Sequence, residues 1–228
     1  MRLLRHIPNA LTSMNLAVGM LGIYNVFVGD FTNSILFILV AGLFDFLDGF
    51  VARLVGADGD FGRELDSLAD VVTFGALPAA YIFQWSSSLG NPDYLSYMSV
   101  AIVVFSALRL ARFNLSEPGD GFQGLPTPAN AIMLCTLGQL DLGQTAPSLY
   151  IPAIIVLSCF LLVSNLPMMS LKFKKGGFLS NIEKFIFLGA IVLAGALLGI
   201  SAIPFVIPGY IFLSVVVAVT SKRRITSS

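Results

Sequence analysis

The chain of 228 residues is 56% hydrophobic and 11% charged, with a mean hydropathy of +0.86 and a formal net charge of zero. Apolar runs of membrane-spanning length recur from end to end, which excludes a soluble globular protein. The stretches between them are too short for a separate soluble unit, so residues 1–228 are expected to form a single all-α membrane domain, a polytopic helix bundle.

Taken in order, the apolar segments fall at roughly 8–29, 32–54, 64–86, 94–114, 127–141, 147–166, 183–200 and 203–220. Residues 1–7, with Arg2 and Arg5 among leucines, read as an interfacial segment before Pro8 starts a first helix that is retained rather than cleaved. Asn9, Thr12, Ser13 and Asn15 make that helix polar at its beginning; they either cap its start or form a polar face turned inward. With the amino terminus cytoplasmic, eight spans place all thirteen Lys and Arg residues on the cytoplasmic side, among them Arg53, Arg63, Arg109, Arg112, Lys172, Lys174 and Lys175. The opposite connections carry none, so about eight transmembrane helices with both termini cytoplasmic are expected in the cell (inner) membrane. The fifth segment is the weak point of that count, because its apolar part is short and begins beside Pro126 and Pro128. Trp85, Tyr81, Tyr94 and Tyr97 gather near the third-to-fourth connection, where an interfacial aromatic belt is expected. Cys135 and Cys159 lie in apolar segments and read as small hydrophobes, with no disulfide or cysteine metal site expected.

Seven of the thirteen acidic residues crowd between Asp45 and Asp70. Asp45, Asp48, Gly49 and Ala52 share one face near the end of the second segment. Gly62, Asp66 and Asp70 recur every fourth residue along the start of the third. The glycine-containing connection can turn back and bring the two acidic faces together. Four carboxylates in so small a volume need cations, and a pair of hard divalent ions, Mg²⁺ or Mn²⁺, would neutralise them with oxygen ligands. A paired divalent site suits displacement at phosphorus, and Arg53 at the same mouth can add a phosphate contact. Two alternatives stand beside this. Intramembrane aspartates can pair with arginines to fasten helices, but only Arg53 and Arg63 are near; carboxylates can also line a cation channel or transporter, but there they are expected along the bilayer depth rather than at one mouth.

The pattern D-x-x-D-G-x-x-A-R, eight residues, G-x-x-x-D-x-x-x-D, matched from Asp45 to Asp70, resembles the signature of the CDP-alcohol phosphatidyltransferases. Within that family, Pro8 to Asn15, Asp66 to Pro78, Arg109 to Asn114 and Gly124 to Asn130 are similar to stretches of the integral-membrane phosphatidylserine synthases. The resemblance implies transfer of a phosphatidyl group from CDP-diacylglycerol to the hydroxyl of L-serine, with CMP released. It further implies that Asp45, Asp48, Asp66 and Asp70 ligate two metal ions and that Asp70 takes the proton of the attacking hydroxyl. Gly49, Ala52, Arg53 and Gly62 would shape the CDP pocket, with Asn9 and Asn15 as cytidine candidates.

Serine brings a carboxylate and an ammonium. Arg109 and Arg112, three residues apart on one face with Asn114 close by, either clamp the serine carboxylate or a phosphate, or reach to the lipid headgroups as topology anchors. Glu117 or Asp120 in the following loop would meet the ammonium. Acceptors such as glycerol phosphate, inositol phosphate or choline remain alternatives with the same chemistry. Membrane lipids are the expected surroundings, no nucleic-acid partner is expected, and the resemblance implies a homodimer. Small residues such as Gly189, Ala190, Ala194 and Gly195 permit close helix contacts.

Overall fold

The computed structural model describes residues 6–30, 33–57, 59–115, 123–137, 149–166, 202 and 204–214. Its elements are helices: α1 (Ile7–Val28), α2 (Ser34–Val55), α3 (Asp60–Ser88), α4 (Asp93–Asn114), α5 (Thr127–Leu137), α6 (Tyr150–Val163) and α7 (Pro204–Ser214). The first four are long and apolar enough to cross a membrane. At 1.5 Å per residue the 22-residue α1 and α2 are each about 33 Å long, matching the hydrocarbon thickness. Segments 183–200, both chain ends, residues 1–5 and the loop with Glu117 and Asp120 lie outside the described residues.

Local signals set the helix ends. Pro8 stands in the first turn of α1, where its missing N–H costs nothing. Gly29 (φ 101°) ends α1 and Gly56 (φ 60°) ends α2, each in the left-handed region that a Cβ disfavours. Only residues 56–59 separate α2 from α3, so the chain turns back there, and α1 packs against both helices. The alternation continues: α1 starts, α2 ends, α3 starts and α4 ends at one end of the bundle. The start of α5 and the end of α6 join them there, tied by Arg112 Nη1 donating to the Val163 carbonyl (3.3 Å) and by the Leu125 N–H on the Leu161 carbonyl (2.9 Å).

The third helix begins at Asp60, earlier than its apolar run predicts, and continues through a π turn, Val71–Ala76, that follows directly on Asp70. Close packing fixes that turn. A Cβ on Gly19 would collide with Thr73, and one on Gly22 would come within 2.7 Å of Leu77 Cδ2, so the two glycines let α1 press onto Thr73 of the π turn and onto Leu77 just after it. Behind it, Phe74, Leu77, Ile82, Ile102, Leu134 and Ile155 form the buried core. The outer surface is apolar instead of polar, with Leu21 58% and Val156 60% exposed, as lipid contact requires.

The expected aromatic belt is split. Tyr94 and Tyr97 are exposed, whereas Tyr81 and Trp85 turn into the core, where Trp85 meets Tyr150 edge-on at 6.1 Å. Their position along α3 is right for an interface, but their face of the helix is turned into the bundle, against α1, α4 and α5.

Candidate active site

The helical spacing of the aspartates becomes a cluster because α2 and α3 are joined so tightly. One oxygen from each of Asp45, Asp48 and Asp66 lies within 4.8 Å of the others. Asp48 is only 5% exposed, and Asp66 Oδ1 is buried with no hydrogen-bond partner among the described residues. Among the described residues no arginine forms an ion pair with any of the four aspartates; Arg63 instead meets the exposed Asp60 at 3.6 Å. Helix fastening by Asp–Arg pairs is therefore not what the carboxylates do.

Three convergent carboxylates with an orphaned oxygen fit a hard divalent cation. The donor set is all oxygen, and its negative charge has no protein counter-charge in contact. Asp70 belongs to the same charged group but stands one turn further along α3, outside the trio, and is 7% exposed.

A cleft of about 340 Å³ opens over this cluster, between the start of α1, the end of α2 and the start of α3. Asn9, Gly49, Ala52, Arg53 and Gly62 line it together with Asp48 and Asp66. Arg53 folds back over Gly49, whose absent Cβ would stand 3.6 Å from Nη1. A Cβ on Gly62 would be 3.3 Å from Asn9 Oδ1, so glycine there keeps the α1–α3 wall close. Of the polar beginning of α1, Asn9, Thr12 and Asn15 face inward rather than capping the helix, whereas Ser13 is exposed and donates to the Asn9 carbonyl at 2.8 Å. The Thr12 hydroxyl donates to Asp48 Oδ2 at 2.6 Å, while no side chain caps the first turn.

Asn15 is placed differently from the expectation of a cytidine contact. It is fully buried, does not line the cleft, and its Nδ2 donates to Asp70 Oδ1 at 3.3 Å. Two turns of α1 separate it from the mouth that Asn9 occupies.

The three residues expected on the acceptor side are not brought together. Arg109 is 8% exposed; its Nη1 donates to Thr127 Oγ1 at 2.8 Å, its Nε has no partner among the described residues, and the charge of Asp70 acts on it. A buried guanidinium of this kind is no headgroup anchor. Arg112 instead points to the α5–α6 end of the bundle, donating to Asn165 Oδ1 (2.7 Å) and Gln123 Oε1 (3.3 Å). Asn114 Nδ2 donates to Ser67 Oγ at 2.8 Å and so ties α4 to α3. Thr127 and Thr73, the partners of Arg109 and of the Asn15 carbonyl, had no role assigned from sequence; each is buried, and only their partners reveal them.

The sequence model describing the CDP-alcohol phosphatidyltransferase family matches residues 5–220. The CDP-diacylglycerol-serine O-phosphatidyltransferase of Methanocaldococcus jannaschii is 40% identical over 134 residues, 59% of this chain and 61% of the relative. The protein of the same description from Helicobacter pylori is 34% identical over 169 residues, 70% of each chain. The archaetidylserine synthase of Methanothermobacter thermautotrophicus is 37% identical over 132 residues, 56% of this chain and 55% of the relative. The matches to the two archaeal proteins thus span less than two thirds of their lengths.

Proposed function

We propose, because this chain belongs to the CDP-alcohol phosphatidyltransferase family, that its aspartate site transfers a phosphatidyl group from CDP-diacylglycerol to the hydroxyl of L-serine. The observation that carries the reading is the convergence of Asp45 with Asp48 and Asp66, the latter two lining a cleft whose walls hold Arg53 and Asn9. The acceptor comes from the relatives described as serine transferases.

In this reading the CDP moiety lies in the cleft, its diphosphate over Gly49 and near the Arg53 guanidinium, with Asn9 and Ala52 along the nucleoside. Two divalent ions, Mg²⁺ or Mn²⁺, would be held by Asp45, Asp48, Asp66 and Asp70, and would supply charge neutralisation of the diphosphate and of the leaving CMP. Asp70 accepts the proton of the serine hydroxyl as that oxygen bonds to the phosphorus of the phosphatidyl group. The bond from that phosphorus to the CMP oxygen breaks, leaving phosphatidylserine and CMP. Arg109, buried beside Asp70 with its Nε unpaired, holds the serine carboxylate. Arg112 and Asn114 act at one remove, by fixing the end of α4 on which Arg109 stands.

The same reading has eight spans with both termini and the cleft on the cytoplasmic side of the cell membrane. Its support is the placement of Arg53, Arg63, Arg109 and Arg112 at the cleft end and the lack of Lys or Arg in the connections opposite. Pairing into a homodimer rests on the family resemblance alone.

The test is a detergent-solubilised assay of CDP-diacylglycerol and labelled serine with Mg²⁺ or Mn²⁺, against chelator. Metal-dependent phosphatidylserine formation is the expected result. CMP release with glycerol phosphate or inositol phosphate but not with serine would keep the site and overturn the acceptor. No CMP with any alcohol would overturn the reaction. In the same assay Arg109→Ala is expected to raise the KM for serine by on the order of 10²-fold with little change for CDP-diacylglycerol, because a charge-assisted bidentate contact is worth roughly 2–3 kcal/mol. Equal rises for both substrates would move Arg109 to the shared phosphates.

A further inference from the structure

We infer that Asn15 is a positioning residue for the Asp70 carboxyl, through a closed set of contacts between α1 and the π turn of α3. The inference rests on the reading of Asp70 as the proton acceptor. A carboxyl group turns easily about its last torsion, whose profile is broad and roughly two-fold. A base whose two oxygens exchange freely spends much of its time misaligned with the hydroxyl it must deprotonate. Asn15 removes that freedom: its Nδ2 donates to Oδ1 of Asp70 at 3.3 Å and leaves the other oxygen for the acceptor.

Asn15 is itself held. The Thr73 hydroxyl donates to the Asn15 main-chain carbonyl at 3.2 Å. Thr73 lies in the π turn that begins one residue after Asp70, and a turn with i→i+5 hydrogen bonds presents residue 73 differently from a regular α-helix. Gly19, one turn after Asn15, leaves the space that Thr73 occupies. The contacts therefore run from Asp70 along the chain to Thr73, across to Asn15, and back to Asp70 with no solvent-exposed joint, since Asn15 and Thr73 are fully buried. The Asn15 amide has its hydrogen bond to Asp70, and its Oδ1 has no partner among the described residues, so Asp70 is the group on which that side chain acts.

The experiment compares purified wild type, Asn15→Leu, Asn15→Asp, Thr73→Val and Asp70→Asn with Mg²⁺, CDP-diacylglycerol and serine, reading kcat, both KM values and the thermal shift induced by CDP. Asn15→Leu and Asn15→Asp are expected to lower kcat by on the order of 10²-fold, and Thr73→Val by about 10-fold, as misalignment of a reacting group does. Both KM values should stay within about twofold of wild type and the CDP-induced shift should persist, the signature of an interaction felt only in the transition state. A raised KM for CDP-diacylglycerol at unchanged kcat would make Asn15 a nucleotide contact and overturn the inference. Wild-type kcat in Asn15→Asp or in Thr73→Val, each with the CDP shift retained, would overturn it even if Asn15→Leu does not fold. Inactive Asp70→Asn beside fully active Asn15 variants sinks this inference alone; active Asp70→Asn sinks the base assignment beneath it.

Discussion

Asp70→Asn should lower phosphatidyl transfer by about 10³-fold or more while leaving measurable CDP binding, the loss being at the upper end of what a positioned base contributes, with weakened cation binding added. The substitution keeps size and shape. The amide oxygen can still accept from Asn15 Nδ2, so the contacts that hold residue 70 survive. What changes is the second position, where an NH₂ group that cannot take a proton faces the acceptor hydroxyl. The carboxylates of Asp45, Asp48 and Asp66, and the cleft above them, are untouched because Asp70 stands a turn away from the trio. The check is single-turnover CMP release alongside a CDP titration of the same preparation. Turnover near wild type would remove Asp70 from the proton transfer, whereas lost CDP binding together with lost turnover would make it chiefly a ligand for the ions.

Much of this site is legible in the sequence because helical geometry is rigid. Asp45 and Asp48 three apart, and Asp66 and Asp70 four apart, must share faces, and the short glycine-containing turn leaves α3 no course but back along α2. Gly49 and Ala52 share the face of Asp45 and Asp48, and Gly62 shares that of Asp66 and Asp70; these three line the cleft together with Arg53, which only the family resemblance had pointed to as a pocket residue. Contacts across the bundle are another matter. Whether Asn15 faces the cleft or Asp70 depends on how closely α1 approaches α3, which Gly19 and Thr73 decide jointly from positions 54 residues apart. Nothing in Val71–Ala76 taken alone distinguishes a π turn from ordinary helix. Asn114, near Arg112 in sequence, is claimed by Ser67 of another helix. The early start of α3 has a different cause: Asp60, Arg63 and Glu64 are too polar to count as membrane span, yet they form helix readily once outside the hydrocarbon. Hydropathy reports where lipid is, not where a helix begins.

Asp66→Asn is expected to abolish metal-dependent transfer and, in the same molecule, to raise the thermal stability of the metal-free protein. Both effects come from one arrangement. Without cations, and once all three are ionised, Asp45, Asp48 and Asp66 oppose one another within 4.8 Å, and among the described residues no arginine is in contact and Asp66 Oδ1 is buried without a partner. Like charges partly withdrawn from water repel more strongly than they would in bulk solvent. An asparagine at position 66 removes one of those charges and offers N–H donors to the carboxylates of Asp45 and Asp48. The metal-free variant should therefore melt several degrees higher than the metal-free wild type, a gain on the order of 1–2 kcal/mol, as stabilised active-site variants commonly show. Divalent cations should reverse the order. In the wild type, binding to the folded state alone adds stability according to cation concentration over Kd, while the variant, short of one carboxylate ligand, gains little. The measurement is a melting curve for each protein across a titration of Mg²⁺ or Mn²⁺, with CMP release followed in parallel. Crossing stability curves together with a turnover loss of about 10³-fold or more are expected. A metal-free variant less stable than wild type would mean that Asp66 serves the fold through contacts of its own. Equal metal-induced stabilisation of both proteins would remove Asp66 from the cation site.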